Sequence, residues 1–148
     1  MRILVQRVLS SEVEVKGKIV GKSGHGLLLF VGFTEGDSSK EIDYMVDKVI
    51  NLRIFDDENG VMNKSLLDIS GSILSISQFT LYADASKGRR PSYIGALKSD
   101  KASILYDEFN KKLKETKVPT ETGIFGAEMK VSLINDGPIT IMLEKESR

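Results

Sequence analysis

The chain has no cysteine and a single histidine, His25, among its 148 residues. Without cysteine there is no disulfide, no thiolate nucleophile and no thiolate metal site, which fits a reducing compartment. With one histidine, set between Gly24 and Gly26 in a turn-like stretch, no Ser-His or Cys-His pair is suggested and a histidine-rich metal site is excluded. Net charge is missing too: Lys plus Arg and Asp plus Glu each number 21. The overall field therefore does not draw in a long nucleic-acid backbone, and any such contact has to be local. No apolar run approaches the roughly 20 residues that span a bilayer. The start, Met1-Arg2-Ile3-Leu4-Val5-Gln6-Arg7-Val8, is too short and interrupted for a signal peptide. Gly21-Lys22-Ser23-Gly24-His25-Gly26 has glycines without the spacing or setting of a phosphate loop. A cytoplasmic protein, off the membrane and without metal or cofactor, is expected.

What is present describes an ordinary core. Hydrophobic residues make up 41% and charged residues 28%, and a chain of this length buries roughly 70% of its unfolded surface as one domain, 1–148. Residues 2–9 read as a strand. Val13 and Val15 alternate with Glu12 and Glu14, and Lys16-Gly17-Lys18 turns into Ile19-Val20-Gly21 as a hairpin. Leu27-Leu28-Leu29-Phe30-Val31 reads as a strand buried on both sides. Ser38 with Glu41 forms a capping box ahead of Ile42, Met45, Val46, Val49 and Ile50 at helical spacing. Asp57-Glu58-Asn59-Gly60 is a turn, and 62–68 carries no assignable pattern. A second helix spans 99–116, with Ala102, Leu105, Phe109 and Leu113 inward. Two late strands, 130–134 and 139–143, are separated by Asn135-Asp136-Gly137-Pro138 in a hairpin-like layout. The order implies a mixed α/β fold, a largely antiparallel sheet or barrel-like β core flanked by two main helices.

Two stretches break the pattern. The run from Gly71 to Asp84 starts as a buried strand, Ile73-Leu74-Ser75-Ile76, then places Ser77, Gln78 and Thr80 where apolar residues would continue it. If it stays extended, Leu74, Ile76, Gln78, Thr80 and Tyr82 share one face. Polar groups there cost free energy unless partnered, so the stretch is either a strand end meeting water or a functional site. At Gly137-Pro138, glycine permits unusual backbone angles and an X-Pro bond is the one place where cis is cheap. The plain alternative is a hairpin turn.

Taken together, Ser77-Gln78-Phe79-Thr80-Leu81-Tyr82-Ala83-Asp84, Lys87-Gly88-Arg89-Arg90-Pro91 and Asn135-Asp136-Gly137-Pro138-Ile139-Thr140 resemble the D-aminoacyl-tRNA deacylase family, also called D-tyrosyl-tRNA deacylase. The likeness runs from Met1 to about Glu144, and the shared order and spacing of the motifs make it specific. It implies hydrolysis of the ester of D-aminoacyl-tRNA, and of glycyl-tRNA as a further candidate, by a homodimer with its active sites at the subunit interface. Gly137-Pro138 would be cis and inserted into the partner's pocket, its carbonyls holding the substrate amino group and its backbone leaving no room for an L side chain. The backbone around Phe79 and Thr80, within Ser77-Gln78-Phe79-Thr80, would polarise the ester carbonyl. Phe125 and Met129 would line a pocket for the terminal adenosine of the tRNA 3′ end, and Arg7 would brace the Gly-Pro turn. Ile139 and Tyr93 stand where valine and phenylalanine are usual in the family.

No protein base is evident near these residues, whereas an aminoacyl-tRNA ester carries its own vicinal 2′-hydroxyl. Substrate-assisted hydrolysis is the preferred expectation, with Thr80 as nucleophile the second. Lys87, Arg89 and Arg90 are either phosphate contacts or a solvated loop. A related deacylase with trans Gly-Pro is a same-class rival. A catalytically silent RNA-end or protein-binding dimer is a rival of another class, but it would require losses at motif positions, and none is seen.

Overall fold

The computed structural model describes residues 1–147. Strand β1 (Arg2–Val15) pairs along one edge with β3 (Gly26–Gly32) and then β2 (Lys18–Ser23), and along its other edge with β8 (Lys130–Glu144), all antiparallel. Strand β6 (Ser72–Ser77) runs parallel to β3, and β7 (Thr120–Thr122) parallel to β6. The sheet order is β2-β1-β3-β6-β7, with β8 on β1. Strand β2 curls round to face β7. Lys22 N donates to Glu121 Oε1 at 3.0 Å, and a Cβ on Gly21 would lie 2.6 Å from Thr122 O. Only glycine allows that approach, and it nearly closes the sheet into a barrel. A small ribbon, β4 (Phe55–Asp56) with β5 (Met62–Lys64), lies outside it.

Helices α1 (Ser39–Asn51) and α2 (Ser99–Glu115) cover one face. The capping box is present: the Ser38 hydroxyl accepts from Lys40 N, and Glu41 Oε1 accepts from Ser38 N at 3.0 Å. Leu27, Leu29 and Ile73 point into the core under the helices, while Leu28, Leu74 and Ile76 fill the inside of the curl with Val8 and Val13. Burial on both faces, at roughly 1.5–3 kcal/mol per large apolar side chain, is what the uninterrupted Leu27–Val31 run supplies. In α2, Ala102, Phe109 and Leu113 are buried as expected, but Tyr106 rather than the half-buried Leu105 completes the inward stripe. No helix among the described residues is long and apolar enough to cross a membrane.

Three expectations change. Residues 2–15 form one strand rather than two pieces, because β3 and β2 succeed each other along the same edge of β1. The run after Ser77 does not stay extended: Phe79–Tyr82 is a 3-10 turn, so Gln78, Thr80 and Tyr82 do not alternate on a strand face. Residues 135–138 are not a hairpin. Strand β8 continues through them against β1, pairing Asn135 with Val8 and Thr140 with Gln6, so residues 136–139 bulge opposite Arg7 alone. A glycine–proline pair tolerates this because the bulge leaves the hydrogen-bonded ladder.

Candidate functional site

Strand β6 ends where the 3-10 turn begins, and the turn leaves its first amides free. Gln78 N still donates to Val31 O at 2.7 Å, Leu81 N closes back on Gln78 O at 3.3 Å, and Ala83 N on Thr80 O at 3.0 Å. Among the described residues, the N–H groups of Phe79 and Thr80 donate to no protein acceptor, as expected at the start of a helical turn. The Gln78 side-chain amide donates to the Thr80 hydroxyl oxygen.

Two contacts hold the turn. From beneath, a Cβ on Gly32 would lie 2.9 Å from Gln78 O, so the turn rests directly on the end of β3. From the side, Arg2 Nη1 donates to Leu81 O at 2.8 Å and its guanidinium stacks 4.5 Å from the Tyr82 ring centroid. Burial, and then the Asp37 charge, push the Tyr82 phenol well above its ordinary range, so it stays neutral under Arg2.

The turn opens on a cavity of about 550 Å³. Ser77, Gln78 and Phe79 line one side, Phe125 and Met129 the other, and Tyr93 the mouth. Phe125 and Met129 come from the segment after β7, which Gly123 N pins to Ser75 O at 3.0 Å. Gly123 makes room for Met129, whose Sδ would lie 2.6 Å from a Cβ there. Tyr106 of α2, which was not anticipated, does not line the cavity but backs Phe125. Its buried hydroxyl donates to Ser75 O at 2.8 Å, and its ring packs on Phe125 with centroids 6.0 Å apart. Desolvation raises its pKa, so it remains a hydrogen-bond donor. The 102-106-109-113 spacing was the signal that could have found it.

Arg7, Gly137 and Pro138 form a second cluster on the same chain and do not line that cavity. Arg7 is buried. Its Nη1 donates to Ile54 O at 2.8 Å and its Nε to Asp136 O at 3.2 Å, with Asp136 Oδ2 also 3.2 Å away. Asn135, also not anticipated, ties the neck of the bulge by donating to Arg7 O at 3.3 Å and Ile139 O at 3.0 Å. The Gly137–Pro138 peptide is cis, Gly137 has φ +125°, and both residues are exposed. Lys87, Arg89 and Arg90 are exposed on the loop 85–91, and His25 is exposed and meets Phe55 edge-on, away from the cavity.

A family model described as D-Tyr-tRNA(Tyr) deacylase matches residues 4–144. A D-aminoacyl-tRNA deacylase of Clostridium tetani (strain Massachusetts / E88) is 55% identical over 146 residues, 99% of this chain and 98% of that protein. Among solved structures, a c-Myc DNA unwinding element binding protein superposes with a TM-score of 0.93 at 38% identity, covering 99% of each chain. A probable eukaryotic D-amino acid tRNA deacylase superposes at 0.82 with 19% identity, covering 96% of this chain and 97% of that one, a likeness of fold.

Proposed function

Because the chain belongs to the D-Tyr-tRNA(Tyr) deacylase family and is a D-aminoacyl-tRNA deacylase, a hydrolase of ester bonds, we propose that its cavity receives the 3′ end of charged tRNA. The terminal adenosine lies between Phe125 and Met129, and the ester reaches the 3-10 turn. The observation that carries this reading is the pair of unused N–H groups at Phe79, which lines the cavity, and Thr80, which follows it in the turn and does not. Two fixed donors at a developing oxyanion lower the barrier without reorganisation, and removing one such donor typically costs about 10²–10³ in rate.

Water adds to the ester carbonyl as its proton passes to the neighbouring 2′-hydroxyl, the bond to the 3′ oxygen breaks, and the 2′-hydroxyl hands its own proton to that oxygen. Free D-amino acid and tRNA are released. Within the cavity lining no histidine, carboxylate or lysine offers a general base, which favours this substrate-assisted route. The Thr80 hydroxyl already takes a hydrogen bond from Gln78, and that contact cannot remove its proton.

The second half of the site comes from another copy of the chain. In the proposed homodimer the partner's Gly137–Pro138 turn faces this cavity, its carbonyls hold the substrate amino group, and its backbone excludes an L side chain while leaving glycine admissible. Strand β8 supports an interface: one edge is unpaired among the described residues, Ile134 and Met142 are exposed, and Val131, Leu133, Ile141 and Leu143 are only half-buried. The reaction belongs in the cytoplasm, where charged tRNA is used.

Release of amino acid from D-Tyr-tRNA, with L-Tyr-tRNA spared, is the expected result. Thr80→Ala should keep kcat within a few-fold of the wild type. Turnover abolished with binding intact would make Thr80 the nucleophile, and no release of either enantiomer would end the enzymatic reading. The cations of loop 85–91 contact phosphates: changing Lys87, Arg89 and Arg90 together to Ala should weaken tRNA binding and reduce the slope of log Kd against log salt by about 2 to 3. An unchanged slope would return the loop to solvent.

A further inference from the structure

The mouth of the cavity carries an aromatic pair that the chemistry above does not use. The rings of Phe79 and Tyr93 meet edge to face with centroids 5.3 Å apart and an interplanar angle of 68°. They are 55% and 47% exposed, so each ring offers a free face to solvent at the rim. Their positions are built. The loop 85–91 is pinched at its base by two backbone bonds between Asp84 and Ser92, each 2.8 Å, so the segment that carries Lys87, Arg89 and Arg90 returns to the residue just before Tyr93. Beyond it, Ala96 N donates to Tyr93 O at 3.0 Å, Leu97 N to Phe33 O at 3.0 Å, and Thr34 Oγ1 to Gly95 O at 2.6 Å. The pair is therefore preorganised against the cavity rim.

Half-exposed aromatic rings next to a cluster of cations are what a single-stranded nucleic acid needs: a flat apolar surface for a base and positive charge for the adjoining phosphate. We propose that Phe79 and Tyr93 form a stacking platform for the unpaired base next to the terminal nucleotide, with loop 85–91 at its phosphate. This rests on the reading that the cavity takes the terminal nucleotide. It adds an anchor at the cavity rim, one that is tolerant of sequence because every base offers a π-face. It also explains how a chain with no net charge holds an RNA end: the contact is local and shared between stacking and the three cations of the adjoining loop.

Binding of deacylated tRNA, read by fluorescence anisotropy, tests the platform independently of catalysis. Tyr93→Ala and Phe79→Leu should each weaken binding of intact tRNA by roughly ten-fold, while Tyr93→Phe keeps the affinity. On tRNA made abasic at the penultimate position, wild-type binding should fall by a similar factor and the two variants should lose little more. A loss of equal size on both RNAs would assign the pair to the terminal nucleotide, and no loss on either would make it a surface for something other than RNA; each result overturns the platform. Hydrolysis of D-Tyr-tRNA by the same wild-type preparation reports separately on the reaction, so an inactive enzyme with this coupling intact would remove the chemistry and leave the platform standing.

Discussion

Arg7→Leu is expected to lower the free energy of unfolding by about 3 kcal/mol and to reduce hydrolysis of D-aminoacyl-tRNA by two orders of magnitude or more. The ion pairs are the smaller part of the stability effect. Asp56 is half-exposed, 3.5 Å from Nη1, and such a contact is worth little in water. The larger part is the loss of two donors to Ile54 O and Asp136 O, carbonyls that are left unsatisfied in or near the core at about 1–3 kcal/mol each. On the β8 side Arg7 has no ladder partner, so its guanidinium, together with the Asn135 side chain, ties the bulge to β1. Without that tie the 136–139 segment is free to shift, and the proposed contact of its carbonyls with the substrate amino group is lost. Arg7→Lys keeps the charge but cannot span both carbonyls from one head group, so it should fall between the two. Urea denaturation and kcat/KM, measured where all three proteins are folded, separate the effects. An Arg7→Leu protein that loses stability but turns over normally would detach the bulge from catalysis.

The places where the sequence was legible share a cause. The capping box at Ser38 and Glu41 and the doubly buried Leu27–Val31 run depend on neighbours within a few residues, and both are found. Ser77 and Gln78, singled out by pattern, and Phe79, Phe125 and Met129, named through family resemblance, line one cavity, whereas Thr80, Arg7, Gly137 and Pro138 do not. The errors fall where distant contacts decide. Period-2 geometry placed Gln78 and Thr80 on one strand face. It could not reveal that the polar residues mark a strand end converted into a 3-10 turn by contact with Gly32 and Arg2, more than forty residues away in sequence. Likewise Asn135-Asp136-Gly137-Pro138 has hairpin composition, yet β1 is long enough to template β8 on both sides of it. Helical spacing marks the Tyr106 ring as inward, but not its hydrogen bond, because the Ser75 carbonyl that receives it lies 31 residues away in sequence.

The same contact that ends the strand yields the second large effect, at Gly32. No left-handed φ is required there, so a larger residue is acceptable to the local backbone, and any cost comes from what its side chain meets. A Cβ would lie 2.9 Å from Gln78 O, 3.2 Å from Leu81 Cβ and 3.4 Å from Tyr82 Cδ2. The first of these is backbone and holds Leu81 N, so it cannot rotate aside as a flexible side chain would. Nor can the turn retreat freely, because Arg2 grips Leu81 O from β1. Gly32→Ala should therefore push the turn by a few tenths of an ångström and lower kcat about ten-fold. Gly32→Val, moving it by roughly 1 Å, should lower kcat about a hundred-fold, the loss expected when fixed donors leave a developing charge. Overpacking of this kind costs about 1–3 kcal/mol of stability, which a chain of ordinary stability survives, so both variants can be assayed folded. The loss should appear chiefly in kcat, with a smaller rise in KM for tRNA, because Phe125 and Met129 sit on another segment while Phe79 moves with the turn. Full kcat in a folded Gly32→Val protein would mean that the amides of Phe79 and Thr80 do not face the reacting carbonyl.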